Sequence, residues 1–158
     1  MYSNEKLILD FYDNLRKGDV KKIGNFYAKN ATFRDPIFIS LNASQASAMW
    51  AMVVKEKDFQ IDIKKIDISD RFLTADCTLI WTCENGKKVL NDITSRFAFN
   101  TDGKILLHSN HFDVYKLVKQ TTGTIGVLFG WTKVLRNRTR RLAAEKLNYF
   151  MKEQNYCF

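Results

Sequence analysis

GDVKKIGNFYAKNATFRDP, residues Gly18 to Pro36, is the stretch on which the reading of this chain turns. It follows one amphipathic helix and opens with a second, shorter one. A strand over Ala31 to Arg34 then leads into Asp35, and the chain's only proline comes next. Proline biases the preceding residue towards extended geometry and removes a backbone donor, so Asp35 is predicted to end a strand. Two readings of its carboxylate stand side by side. An aspartate beside proline commonly bonds its own turn backbone. A carboxylate at a strand end, opposite a curved sheet, can also project into a cavity, where enclosure tunes it as a base.

Upstream, Leu7, Ile8, Phe11, Tyr12 and Leu15 recur at helical spacing, with Ser3 as N-cap and Gly18 as the stop. Asp19 caps the second helix, whose apolar positions are Val20, Ile23, Phe26 and Tyr27. Downstream, a third helix over roughly Ser44 to Lys55 buries Met49, Trp50, Val53 and Val54. The period then changes. Four extended segments follow: Phe59 to Ser69, Arg71 to Glu84, Lys87 to Asn100 and Lys104 to Leu117. Leu73, Ala75, Cys77, Leu79, Trp81 and Cys83 alternate onto one face of the second. Asn85-Gly86 and Asp102-Gly103 supply the positive φ of tight hairpins. A phase switch between Ile63 and Ile66 predicts a bulge that bends the first segment. Three helices before a long, bent, mostly antiparallel sheet make an α+β domain, a cone with room for a ligand between its layers.

Composition narrows the class. A chain of 158 residues, 46% hydrophobic, buries a sizeable core as one domain. Twelve of its aromatics are Phe, which points to a deep apolar interior. The opening MYSNEKLILDFYDNL is charged throughout, unlike a secretory signal, and the longest apolar run, around Ile125 to Trp131, is far short of a membrane span. Cys77 and Cys83 lie about 20 Å apart along an extended strand, too far for a disulfide, and no metal-ligand spacing appears. A cytoplasmic protein without metal or cofactor is expected. The net charge of +8 is uneven: residues 1–115 carry 16 basic and 15 acidic side chains, residues 116–158 carry 9 and 2. The chain therefore divides into a domain over 1–117 and a basic helical extension over 118–158.

The string GD…FYAKNATFRDP, with FAFNTDGKILLHSNHFD further on, resembles the nuclear transport factor 2-like superfamily over about Leu7 to Leu117. That superfamily includes ketosteroid isomerases, limonene epoxide hydrolases and SnoaL-type polyketide cyclases. The tail GVLFGWTKVLRNRTRR is similar to an extension on some members. The resemblance implies the cone-shaped α+β barrel, and it implies Asp35 at the isomerases' general base. Phe11 falls where they place the oxyanion-hole tyrosine, Ser95 at their protonated aspartate, and Tyr27 at a position that is tyrosine in some. With that tyrosine absent and Ser95 only a neutral donor, steroid isomerisation by the usual oxyanion hole is not expected, since each lost donor costs a few kcal/mol.

If the strands pair as in that superfamily, Ser95 and Phe97 face the cone, and so do His108, Asn110 and Phe112 on the next strand. Asp35 and His108 are then the candidate catalytic pair. Phe11, Tyr27, Trp50, Ser95, Phe97, Asn110 and Phe112 would line the site for a small apolar or aromatic ligand. A desolvated carboxylate near a histidine suits isomerase, lyase or hydrolase chemistry. The plainer alternative is that His108 and Asn110 are buried polar residues satisfying each other. His111 and Asp113 fall on the opposite face, so His108 and His111 do not form a metal pair.

In the extension, Lys133, Arg136, Arg138, Arg140 and Arg141 surround a helix with the apolar stripe Ala143, Leu147, Phe150 and Met151. It reads either as a docked helix with a solvated basic face or as a means of recruitment to an anionic membrane. The cluster lacks the interleaved aromatics of a nucleic-acid surface. A homodimer through the outer face of the sheet is expected, because strands of this length outrun the chain left to cover them.

Overall fold

The computed structural model describes residues 3–69, 71–122 and 133–154. The apolar run around Ile125 to Trp131 and Cys157 lie outside them. Helix α1 spans Ser3–Arg16 and ends as expected, where Gly18 takes φ +68°. The second helical segment is a 3-10 helix, Val20–Phe26, and Asp19 makes no side-chain cap to it. Strand β1, Tyr27–Arg34, begins four residues earlier than the sequence suggested. Tyr27 pairs with Ile105 of a neighbouring strand, so tertiary pairing captures a residue that local periodicity placed on a helix.

A two-residue strand, β2 (Leu41–Asn42), pairs back onto β1. Asn42 then starts α2, Ala43–Val53, through a reciprocal capping box with Gln45. The remaining strands are β3 (Lys57–Ile68), β4 (Leu73–Thr82), β5 (Lys88–Phe99) and β6 (Ile105–His111). The sheet order is β2-β1-β6-β5-β4-β3, antiparallel except where β1 runs parallel to β6. The expected bulge in β3 is present as a register shift between Ile63 and Lys65. Gly86 and Gly103 both take positive φ in their hairpins.

Register decides which side chains meet. Ser95 lies opposite Asn110 and Phe97 opposite His108, all four on the buried face that α1 and α2 cover. Cys77 shares that face, and burial pushes its thiol up to about 11, a packing thiol rather than a reactive one. The outer face is polar. Asp92 there accepts from Thr78, Lys64 and Lys116, which hold its carboxyl well below the usual range.

The fourth extended segment does not continue to Leu117. Pairing of β6 stops at His111, opposite Thr94, and α3 (Val114–Thr122) begins after Asp113, which caps Lys116 N at 3.0 Å. The first half of β5 would otherwise be an open sheet edge. The Gln120 amide closes it, accepting from Leu90 N and donating to Leu90 O, both at 2.9 Å.

Helix α4, Lys133–Glu153, packs on α2. Leu147 and Met151 are buried, Phe150 lies under Lys55 at 4.7 Å, and Lys146 pairs with Glu56 at 3.1 Å. The apolar stripe of the extension is thus used to dock the helix. Fully burying side chains such as Leu147 and Met151 contributes about 1.5–3 kcal/mol each.

Candidate functional site

Five buried side chains form one hydrogen-bonded chain across the cone, and its polarity is set at its two ends, by the Trp50 N–H and by Asn110 Oδ1. That oxygen only accepts, which places the His108 proton on Nε2. The Trp50 Nε1–H can only donate, and it donates to Tyr27 Oη at 3.1 Å. The Tyr27 hydrogen is then directed to His108 Nδ1 at 2.8 Å. With Nδ1 an acceptor, Nε2 carries the proton of the neutral ring and donates to Asn110 Oδ1 at 3.0 Å. Ser95 Oγ donates to the same oxygen at 2.8 Å. Burial pushes His108 down to about 3, with the Asn110 bond opposing weakly, so the ring is neutral at pH 7. Aromatic rings enclose it: Phe97 at 4.2 Å, Phe33 at 4.9 Å, and Phe11, Trp50 and Tyr27 at about 6 Å between centroids.

The structure thus brings together six of the expected residues around His108: Phe11, Tyr27, Trp50, Ser95, Phe97 and Asn110. Phe112, just past β6, is half-buried and packs on the same core. Asp35 stands apart from this chain. It ends β1 as expected, and its Oδ1 accepts from Ile37 N at 2.7 Å and Phe38 N at 2.6 Å. Its own N–H donates to Phe38 O at 2.8 Å. All of these are turn contacts. Both backbone bonds fall on Oδ1, however, and Oδ2 has no partner among the described residues. Desolvation raises the Asp35 pKa to about 6, against the opposing pull of the two backbone bonds and of Arg140.

Two participants were not legible in the sequence. The Tyr12 hydroxyl lies beside Ser95 and Cys77, fully buried, yet closes no hydrogen bond among the described residues. Arg140, expected only as part of a basic face, reaches the Asp35 turn and donates from Nε to Pro36 O at 3.0 Å. Of the other basic residues, Lys133, Arg138 and Arg141 are exposed and Arg136 is half-buried. Beside α4 lies an open surface cavity of about 430 Å³, lined by Met52, Lys55, Lys146 and Phe150 among others. None of the expected site residues lines it.

An unpartnered buried hydroxyl costs about 1–3 kcal/mol. Tyr12→Phe is therefore expected to leave the melting temperature unchanged or raise it by a few degrees. A fall in stability of more than about 1 kcal/mol on denaturant titration would mean that a buried water or ligand satisfies the hydroxyl.

A family model described as the SnoaL-like domain matches residues 8–108, more than half of the chain. No curated protein sequence matches. Among solved structures, an LEH-like epoxide hydrolase of M. tuberculosis is 16% identical, with TM-score 0.63, covering 78% of this chain and 92% of its own. An NTF2-like protein of unknown function from Burkholderia pseudomallei is 13% identical, with TM-score 0.67, covering 78% and 100%. SalBIII, an epoxide hydrolase/cyclase-like enzyme of pyran ring formation in salinomycin, is 15% identical, with TM-score 0.60, covering 72% and 92%. At such identities the likeness shows the fold and carries no activity across.

Proposed function

This chain belongs to the SnoaL-like domain family, and on that premise we propose that it is an enzyme acting on a small apolar or aromatic molecule, with Asp35 as general base. The observation that carries the reading is the division of labour within one carboxylate. Oδ1 holds the turn, which fixes the group in place, and Oδ2 is left to accept a proton. Desolvation sets the group near pH 6, where a base is ionised at neutral pH and still basic enough to act.

His108 has a different part. Both ring nitrogens are committed, so it is a positioning residue that holds Tyr27, Trp50 and Asn110 in register. Isomerase, lyase and hydrolase chemistry all fit a fixed carboxylate facing an apolar ligand. Similar structures bear epoxide hydrolase and cyclase-like names, so the substrates to try are apolar epoxides and enolisable ketones.

The test is a pH profile of kcat/KM on that panel. The rate should rise through about pH 6 as Asp35 ionises and then level off. A profile flat from about pH 4 to 8 would remove Asp35 as the base.

A second reading rests on the outward side of α4, where Val134, Leu142 and Tyr149 are 77%, 50% and 64% exposed and Arg138 and Arg141 are exposed as well. That pattern suits contact with an anionic bilayer, each basic side chain contributing about 1 kcal/mol. Flotation with phosphatidylserine vesicles should then be salt-sensitive and lost on reversing Arg138 and Arg141 to Glu. Absence of flotation at low salt would discard this reading.

A further inference from the structure

We propose that Arg140, delivered by the C-terminal helix, anchors a carboxylate or carbonyl oxygen of the ligand on which Asp35 acts. The inference names the ligand class of the site above and rests on Asp35 belonging to that site. Its basis is the turn over residues 35–38, which is held from two directions. Asp35 Oδ1 closes it from within, and Arg140 Nε donates to Pro36 O at 3.0 Å from α4. One edge of the guanidinium is thereby fixed. The terminal Nη groups have no hydrogen bond or ion pair among the described residues, and Asp35 Oδ2 is likewise open. Carboxylate and guanidinium are near enough for the Arg140 charge to be felt at Asp35, yet they form no direct ion pair.

A clamp between α4 and the turn needs only one N–H. A half-buried arginine with its remaining donors uncommitted stands beside a base with one free oxygen, and the two are complementary in charge and hydrogen bonding to a single ligand. The planar fork matches a carboxylate in two parallel bonds, or an enolate oxygen in one. For an enolisable ketone the balance closes without a co-reactant. Asp35 Oδ2 takes the α-proton, the C–H pair becomes the C=C bond, and the carbonyl π pair moves onto the oxygen held by Arg140. The same proton then returns to carbon, and charge developing on that oxygen meets a donor already in place.

The proposal is tested on the full chain with two probes of equal apolar body, 1-naphthoate and 1-naphthylmethanol, by calorimetric titration. Naphthoate should bind about tenfold more tightly. Arg140→Gln should erase that preference, and Arg140→Lys, which keeps a donor for Pro36 O, should retain only part of it. Arg138→Gln, on the exposed face, should leave it intact. Asp35→Asn should leave naphthoate binding unchanged or tighter, because it removes a like charge. Equal affinities for the two probes, no binding of naphthoate, or a preference that survives Arg140→Gln would overturn the anchor. If Arg140→Gln loosens α4, a full naphthoate preference in Arg140→Lys overturns it equally. Turnover that persists in Asp35→Asn, beside an Arg140-dependent preference, would remove the base and leave the anchor standing.

Discussion

Asp35→Asn is expected to lower turnover of any substrate found by about a hundred- to ten-thousandfold while the melting temperature holds level or rises. The amide has the same shape as the carboxylate, and its Oδ1 can still accept from Ile37 N and Phe38 N, so the turn survives. What is lost is the base. The stability sign follows from the raised pKa. Folded Asp35 titrates near 6 and the unfolded residue near its ordinary 3.8, so between those values the folded chain holds the extra proton. The contribution is fully present below about pH 3.8 and is lost as the pH rises through 6. At neutral pH a desolvated charge remains in the wild type, and Asn removes it. Asp35→Ala separates the roles, because it also deprives two backbone N–H groups of their acceptor and should cost about 1–3 kcal/mol. If Asp35→Asn melts earlier and keeps its turnover, the carboxylate serves the turn alone.

His108→Ala carries the largest expected loss of stability, about 3–5 kcal/mol, or some 10 °C in the melting temperature. The ring fills the centre of the cluster formed by Phe11, Phe33, Trp50 and Phe97, so its removal leaves a cavity in a close-packed core. The Tyr27 hydroxyl also loses its acceptor, and Asn110 Oδ1 keeps only Ser95. Against a typical domain stability of about 5–15 kcal/mol, this is a large share. Urea titration reads it directly. A loss below about 1 kcal/mol, with turnover abolished, would mean that His108 works on the substrate instead. The wild type should show the matching acid sensitivity. Unfolded His108 takes up a proton near pH 6.5 that the folded ring accepts only near 3, so its stability contribution is complete above 6.5 and is lost as the pH falls towards 3.

Much of the fold was legible because it is written in local chemistry. Period-two alternation over Leu73 to Leu79 can bury only one face of a strand, and Gly86 and Gly103 stand where positive φ is required. The phase switch between Ile63 and Ile66 can be absorbed only by a bulge. Asp35 as a strand end before Pro36 was legible for the same reason, and so was the docking stripe of Leu147 and Met151. Two local readings failed where a distant partner decided the outcome. Tyr27 left its helical pattern to pair with Ile105, and the chain after His111 turned helical because the bare half-edge of β5 is closed by Gln120.

The site itself was settled at a distance. Tyr27 meets His108 across 81 residues, and Arg140 meets Pro36 across 104, through a parallel β1–β6 pairing and the docking of α4. No periodicity records such contacts, because each depends on register and helix placement summed over the whole chain. The residue types at the site could therefore be named from the sequence alone: one carboxylate, one histidine and many aromatics. Which atoms they commit and which they leave free could not, since a hydrogen bond is a property of two groups and of the structure that brings them within reach.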